Sequence, residues 1–498
     1  MKRHSVLVLF AAGVLAIEVQ AAAPSNVLIS QDYNMTAVAT GLNFPSALTL
    51  QGDSIWVVEA GLTTPPAVKQ IDNKGNVTTV LTPGMLPAGV LVSPVTGITS
   101  AQGWIWLVHR QTAGFGGVPV GAISKFMSHN PVGTFQTVLS GLPSFGDHPA
   151  PSIALGDDGR VYFATGLPTN SSVVGPDNSW AVSHPTFRDF SPVDIELSGI
   201  GYRTAPTATP FPLDPTASLI TEPFMQFGSG TVPAGTVVHA TTPANPGNGI
   251  ITAGAGSVYS FDPSASNAAS TMRLEAWGFR NDYGLGFDPF NPSLLFVSNN
   301  GADTRGSRPI ANDWDDMFIV HTGRGTQFFG WPDYFHDPVS RLPLPVTNSL
   351  FCPPSPPYGM CPQFAFSNSF RATLTVQPAF AELENHSSAN MFDFSPNSGF
   401  GFMGDIFIAE TGSIPPGTGA TSLVGFKVAR IDRSTGAVSD FIAHTSNDQA
   451  TVFEANGFNK PIDVKFRGAN MFIADFGVFA PGLSMPGTGK IWMVSRAH

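Results

Sequence analysis

Short runs of alternating apolar and polar residues follow one another along most of the chain, broken by turn residues every few positions. One unit recurs. A short alternating strand leads to a turn with Gly, Asp or Asn, then to an apolar run that ends in a polar residue near a Gly. It occurs six times, at 45–61, 95–111, 150–166, 282–301, 388–412 and 461–477. Period-two alternation bounded by such turns predicts β-hairpins. Most copies are followed by a second hairpin, as at 69–81, 123–139, 258–277 and 428–442. No segment sustains a helical period.

Two hairpins make a four-stranded sheet, and six such sheets set radially make an all-β, six-bladed β-propeller. The run 490–494 reads as the third strand of the sixth blade, with no fourth strand after it. The run 36–40, ahead of the first blade, has the pattern of an outer strand. Pairing the two ends closes the ring and removes an exposed sheet edge. A pair of β-sandwiches is the competing fold, but it gives no reason for the same unit to occur six times. The expected organisation is a leader at 1–21, an N-terminal arm at 22–35 and one propeller domain at 36–498. Long insertions interrupt blade three at about 167–255 and blade four at about 330–370. Both are rich in Pro, Gly, Ser and Thr, as binding walls, lids or packing segments are.

Composition narrows the class. The 498 residues are 42% hydrophobic and 12% charged, with 52 Gly and 44 Pro. That is too apolar for a disordered polymer and too rich in turn formers for a helical bundle. A formal charge of -11 repels phosphate backbones, so nucleic acid is not an expected partner. Two cysteines exclude a disulfide-rich scaffold, a four-cysteine zinc site and an iron–sulfur cluster. Lys2 and Arg3, the apolar run 6–17 and Val19-Gln20-Ala21 form a secretory leader. The apolar run is shorter than the roughly 20 residues that span a bilayer. An uncleaved anchor is the competing reading, and no later stretch is long enough to cross. The expected location is the periplasm or the outside of the cell, where Cys352 and Cys361 can pair across a Pro-rich loop. Asn34, Asn76 and Asn170 open glycosylation sequons.

In a propeller, residues before each inner strand meet residues after each second strand at one mouth of the channel. The first group holds Asn43, Asp147, His148, Arg280, Asn281, His386, Asn459 and Lys460. The second holds Glu59, His109, Arg110, Asn299, Asn300, Glu410 and Asp475. So many polar residues at equivalent positions predict a polar pocket. His148 is the candidate base, since a neutral imidazole takes a proton near neutral pH, with Asp147 as its orienting group. Arg280 beside Asn281 can polarise a carbonyl or hold an anion; a loop-closing ion pair is the plainer reading. Asp303, Asp313, Asp315 and Asp316 supply the hard oxygen ligands that calcium prefers, without EF-hand spacing. There is no GxSxG elbow, HExxH or CxxCH. The glycines of 399–404 join two strands instead of opening a helix, which excludes a dinucleotide site.

The segment Gly278-Phe279-Arg280-Asn281-Asp282-Tyr283-Gly284-Leu285 resembles the soluble glucose/sorbosone dehydrogenases. The likeness continues at Asn300-Gly301-Ala302, Trp314-Asp315-Asp316, Phe329-Gly330-Trp331-Pro332, Asp147-His148 and His386-Ser387-Ser388-Ala389. It is seen again at 404–410 and 460–464. These are six-bladed quinoproteins that use pyrroloquinoline quinone (PQQ) and calcium. The resemblance implies His148 as base on a sugar hydroxyl, Asp147 as its orienting group, and Arg280 beside the quinone. It also implies Asn281 and Lys460 as cofactor contacts, and the Gly301 and Ala302 carbonyls as calcium ligands. Asp315 and Asp316 match acids that serve another calcium in the family. The implied partners are a small sugar or alcohol and an external electron acceptor. Thr411 stands where the family has a cofactor-binding Lys, and Lys460 and Ile462 stand where it has two Arg. Two other readings share the same ring: a calcium-dependent hydrolase such as a lactonase, and a non-catalytic propeller that binds glycans or proteins.

Overall fold

A computed structural model describes residues 23–497, apart from 116–117, 150–151, 176, 179–183, 185, 205–218, 357–358, 397, 415–419 and 421. The expected leader and Ala150, the first residue of the third unit, lie outside the described residues. The six hairpin units become the inner halves of six sheets, antiparallel except where Gln327–Phe328 adds in parallel to the edge of blade three. Blade one pairs Pro45–Gln51 with Ser54–Glu59, then Ala67–Ile71 and Val77–Leu81. Blade two runs from Val92–Ala101 to Gln136–Leu142. Blade three starts with Ile153–Leu155 and Val161–Thr165 and ends with Ser257–Phe261 and Arg273–Trp277. Blade four pairs Asp282–Asp288 with Asn291–Asn299, and blade five Ala389–Phe394 with Ile406–Glu410.

Blade six shows why the ring closes. Its inner strands are Pro461–Arg467 and Asn470–Asp475, and its third is Gly489–Arg496. The fourth strand is Tyr33–Leu42, paired antiparallel from Tyr33 opposite Arg496 to Leu42 opposite Gly489. Met35, Leu42, Ile491, Trp492 and Val494 are buried by this closure. Each buried side chain of that size contributes roughly 1.5–3 kcal/mol relative to exposure. The pairing extends the expected strand by three residues upstream. Further upstream, Val27–Ile29 adds to the outer edge of blade five beside Val438–His444.

The two insertions form one layer. Ile195, Leu197 and Phe224 of the first share an apolar core with Phe335, Phe351 and Phe366 of the second. Ser198 N donates to the Ala365 carbonyl and Ser367 N to the Glu196 carbonyl, both backbone bridges between insertions. Inside this layer Arg308, fully buried, donates to Asp333 and to the Ser171 and Gln363 carbonyls. Cys352 and Cys361 are joined in a disulfide that closes the Pro-rich loop. Among the described residues, no helix is long and apolar enough to cross a membrane.

Candidate functional site

The polar residues at the ends of the second strands have a local structural job. In blade one, Glu59 Oε1 accepts from Asn43 N at 2.8 Å. In blade four, Asn299 Oδ1 accepts from Arg280 N at 2.9 Å and Asn281 N at 3.0 Å. In blade six, Asp475 accepts from Asn459 N, Lys460 N, Gly477 N and Trp492 Nε1, each at 2.9–3.0 Å. Buried backbone N–H groups need acceptors, and these side chains supply them to the loop that enters each inner strand. The ring of polar residues is therefore in part a set of brackets, which corrects the expectation that it lines a pocket throughout.

The pocket occupies a narrower arc, at blades three to five. A cavity of about 160 Å³ is lined by His148, Arg280, Asn281, Asn300 and Gly301, with Asp303, Asp315, His386 and Ser388. The bracket from Asn299 aims Arg280 into it. Arg280 Nη2 donates to Asp303 Oδ2 at 2.6 Å and to Asn170 Oδ1 at 3.1 Å. Its Nε is buried without a hydrogen-bond partner, as is Asn281 Oδ1. Arg305 gathers three carboxylates: Asp147 at 2.6 Å, Asp177 at 2.9 Å and Asp303 at 3.0 Å. Burial alone would raise Asp303, but Arg280, His386 and Arg305 together hold it well below the usual carboxylate range.

His148 reaches the cavity as expected. Burial first, then the positive charges of Arg280 and Arg305, push its proton affinity well below that of a free imidazole. It is therefore neutral at pH 7. Its Nδ1 lies 3.2 Å from the Leu167 carbonyl, which places the proton on Nδ1 and leaves Nε2 as an acceptor. The expected orienting role of Asp147 is corrected: its carboxylate is taken by Arg305 and by Asn178 Nδ2 at 2.8 Å. The nearby cations draw it away from the ring.

The acids expected to serve calcium are largely engaged by protein groups. Asp315 accepts from Gly301 N at 2.9 Å, Ala389 N at 2.8 Å and Ser387 Oγ at 3.1 Å. Asp313 Oδ2 accepts from Ala302 N at 2.5 Å. Asp316 accepts from Asn299 Nδ2 at 3.3 Å and pairs across the sheet with Glu382. Among the described residues, no group of three or more His, Cys, Asp or Glu is placed to hold a metal ion. The Gly301 and Ala302 carbonyl oxygens accept no hydrogen bond among the described residues. Gly301 has to be Gly: a Cβ there would lie 2.5 Å from the Trp314 carbonyl oxygen. Lys460 lies apart from this cavity's walls. Its Nζ is buried, without a partner, 4.4 Å from the Phe426 ring centre, and burial pulls it down to about 7.

Several working groups escaped the sequence reading. Asn170 takes Arg280 and Asp303 N on its Oδ1 and gives its Nδ2 to the Asp303 carbonyl. Only 2% of it is exposed, so this sequon has no room for a glycan in the folded protein. Arg305 and Asp177 lie outside the repeat and carried no motif. A larger cavity, about 360 Å³, follows the inner strands away from this mouth. Its walls are strand backbone, apolar side chains, the hydroxyls of Thr99, Ser100 and Ser152, and the side chains of Asp393 and Lys465, the last of which pairs with Asp463 at 2.5 Å.

Solved structures share this architecture. The PQQ domain of a pyranose dehydrogenase from Coprinopsis cinerea, in its holo form, superposes with a TM-score of 0.56 at 13% identity, over 95% of this chain and 98% of that one. A carbohydrate-active enzyme of family AA12 from Trichoderma reesei gives 0.54 at 14% identity, over 96% and 99%. A PQQ-bound aldose sugar dehydrogenase from Streptomyces coelicolor gives 0.49 at 14% identity, over 94% and 99%. No family model matches the sequence, and no curated protein matches it. The fold is thus the six-bladed propeller on which PQQ-dependent sugar dehydrogenases are built.

Proposed function

We propose that this chain is a secreted or periplasmic dehydrogenase of the PQQ type, oxidising a sugar or related alcohol or hemiacetal. The observation that carries the reading is one small cavity that joins a neutral His148 to an Arg280 with an unmet buried Nε–H. PQQ is a flat tri-anion, and an anion needs donors the protein has not already satisfied within itself. Arg280 Nε and Lys460 Nζ are two buried donors of that kind. Arg280 and Asn281 would hold the quinone end, while Lys460, expected on a carboxylate, is buried apart from this cavity. The free carbonyls of Gly301 and Ala302 are the available calcium ligands. Bound PQQ supplies the two-electron acceptor, and electrons then leave to an acceptor outside the chain. His148 Nε2 accepts the substrate hydroxyl proton, and Arg280 stabilises negative charge next to it. The Cys352–Cys361 bridge supports a location outside the reducing cytosol.

The test uses the purified mature protein with PQQ and calcium, assayed on aldoses and alcohols with a redox dye. We expect micromolar PQQ binding and dye reduction. His148→Ala should lower kcat about 10²–10⁴-fold, the range for loss of a general base, with PQQ still bound. Failure to bind PQQ at micromolar concentration rejects the reading. Lactone turnover without PQQ would replace it with the hydrolase.

A further inference from the structure

The larger cavity, about 360 Å³, falls in the roughly 300–1,000 Å³ range of small-molecule pockets, and the dehydrogenase reading does not use it. It is lined by the inner strands of blades two to five and by Lys465 of blade six. Ala101, Leu155, Phe287 and Phe394 stand at or near the ends of those strands that point away from the His148 mouth. The cavity thus belongs to the opposite face of the ring.

Its polar atoms are mostly acceptors. Each inner strand has one edge without a partner strand, and neighbouring blades cap N–H groups along it. Asp393 Oδ2 accepts from Phe466 N and Asp463 Oδ2 from Leu48 N, each at 2.8 Å, and Thr49 Oγ1 accepts from Ser100 N at 2.9 Å. The caps do not exhaust Asp393. Its Oδ1 accepts from Phe394 N at 2.8 Å, so the carboxylate uses two of its roughly four lone pairs. Lys465 Nζ has no proton to spare. It gives three, to Asp463 Oδ1 at 2.5 Å, the Val464 carbonyl at 3.0 Å and the Phe392 carbonyl at 3.3 Å. Ser152 Oγ is buried in the wall without a partner.

Charge selects among ligands. Asp393 feels both Lys465 and Asp463, and the trio of two carboxylates and one ammonium carries one negative charge in excess. A buried charge without a counter-ion is costly. An anion would add to that excess. A bare metal ion needs more oxygens than these: among the described residues, no three His, Cys, Asp or Glu are grouped to hold one. The rest of the wall is apolar, with Leu155, Leu285, Met391, Phe287, Phe392 and Phe394. Phe287 is half-buried, and aromatic faces attract cations.

We propose that this cavity binds a small organic cation, with its ammonium group on Asp393 and its apolar body against the phenylalanines. Ser152 Oγ supplies a second polar contact, from blade three. The inference stands apart from the dehydrogenase reading.

The test titrates the mature, cofactor-free protein by calorimetry with three ligands of one shape: benzylammonium, benzyl alcohol and benzoate. We expect benzylammonium to bind with a Kd at or below about 1 mM, and the other two at least about tenfold more weakly. Asp393→Asn keeps an oxygen for the Phe466 N–H, so it should melt close to the wild type yet lose about tenfold in affinity for benzylammonium. His148→Ala, in the other cavity, should leave that affinity unchanged. No heat with benzylammonium up to about 10 mM overturns the proposal. So does equal binding of benzyl alcohol, or an Asp393→Asn variant that folds and binds as the wild type does. If that variant fails to fold, Ser100→Trp fills the cavity from its partly exposed wall and should abolish binding; retained binding overturns the proposal. Every arm is read without PQQ, so its failure leaves the dehydrogenase reading untouched.

Discussion

Glu410 of blade five and Asp475 of blade six hold the same place in the repeat, opposite Ala389 and Pro461 at the mouth ends of their sheets. Asp475 receives four hydrogen bonds from its own blade. Glu410 receives none: both its oxygens are buried without partners, and Lys427 Nζ stands 3.9 Å away. The reason lies one blade back. The loop that Glu410 would bracket is held instead by Asp315 of blade four. Where a blade brackets its own loop, its polar residues are structural. Where a neighbouring blade takes over the bracket, as at blade five, the displaced carboxylate is left unmet. A charged residue at a repeat position is thus weak evidence of a site, and an unsatisfied one is stronger.

The contrast can be broken by substitution. The largest effect should come from Asp475→Ala, which strands four donors in the interior; unfolding in urea should show a loss of about 3–4 kcal/mol. A cost as small as that of Glu410→Gln would refute the bracket account. Next, Lys460→Met removes a buried amine with no partner and should stabilise by about 1–2 kcal/mol. Its pKa is depressed from 10.5 to about 7, so the unfolded chain takes up the proton first as pH falls. The gain should therefore grow between those values and be complete below the lower one. Smallest of all is Glu410→Gln at acid pH, where both side chains are neutral. Burial raises Glu410 from 4.5 to about 8. Its neutral form therefore favours the folded state below pH 4.5, and that contribution is lost as pH rises through about 8. Thermal melts from pH 5 to 9 should show a shallower decline for the variant than for the wild type.

Much of the ring could be read before any coordinates. Unbroken apolar runs such as Trp56-Val57-Val58 and Phe407-Ile408-Ala409 can bury both faces only within stacked sheets, and all are buried. The edge left open by 490–494 required a partner, and 36–40 was the run with the right pattern, though the strands themselves are longer, Gly489–Arg496 and Tyr33–Leu42. His148 and Arg280 were legible because each sits just ahead of an inner strand. Asn170 and Arg305 were not, since they lie on loops without a period, where neighbours in sequence say nothing about neighbours in space. The alternation of side chains along the chain by itself determined the six sheets, their order and their closure, because a strand with a buried face has only one register that hides it. Which carboxylates bracket a loop, which clamp Arg305, and which hold His386 against Asp303 was decided only in the folded molecule. Those choices depend on distances of a few ångströms between separate blades, and on burial that strengthens every unmet charge.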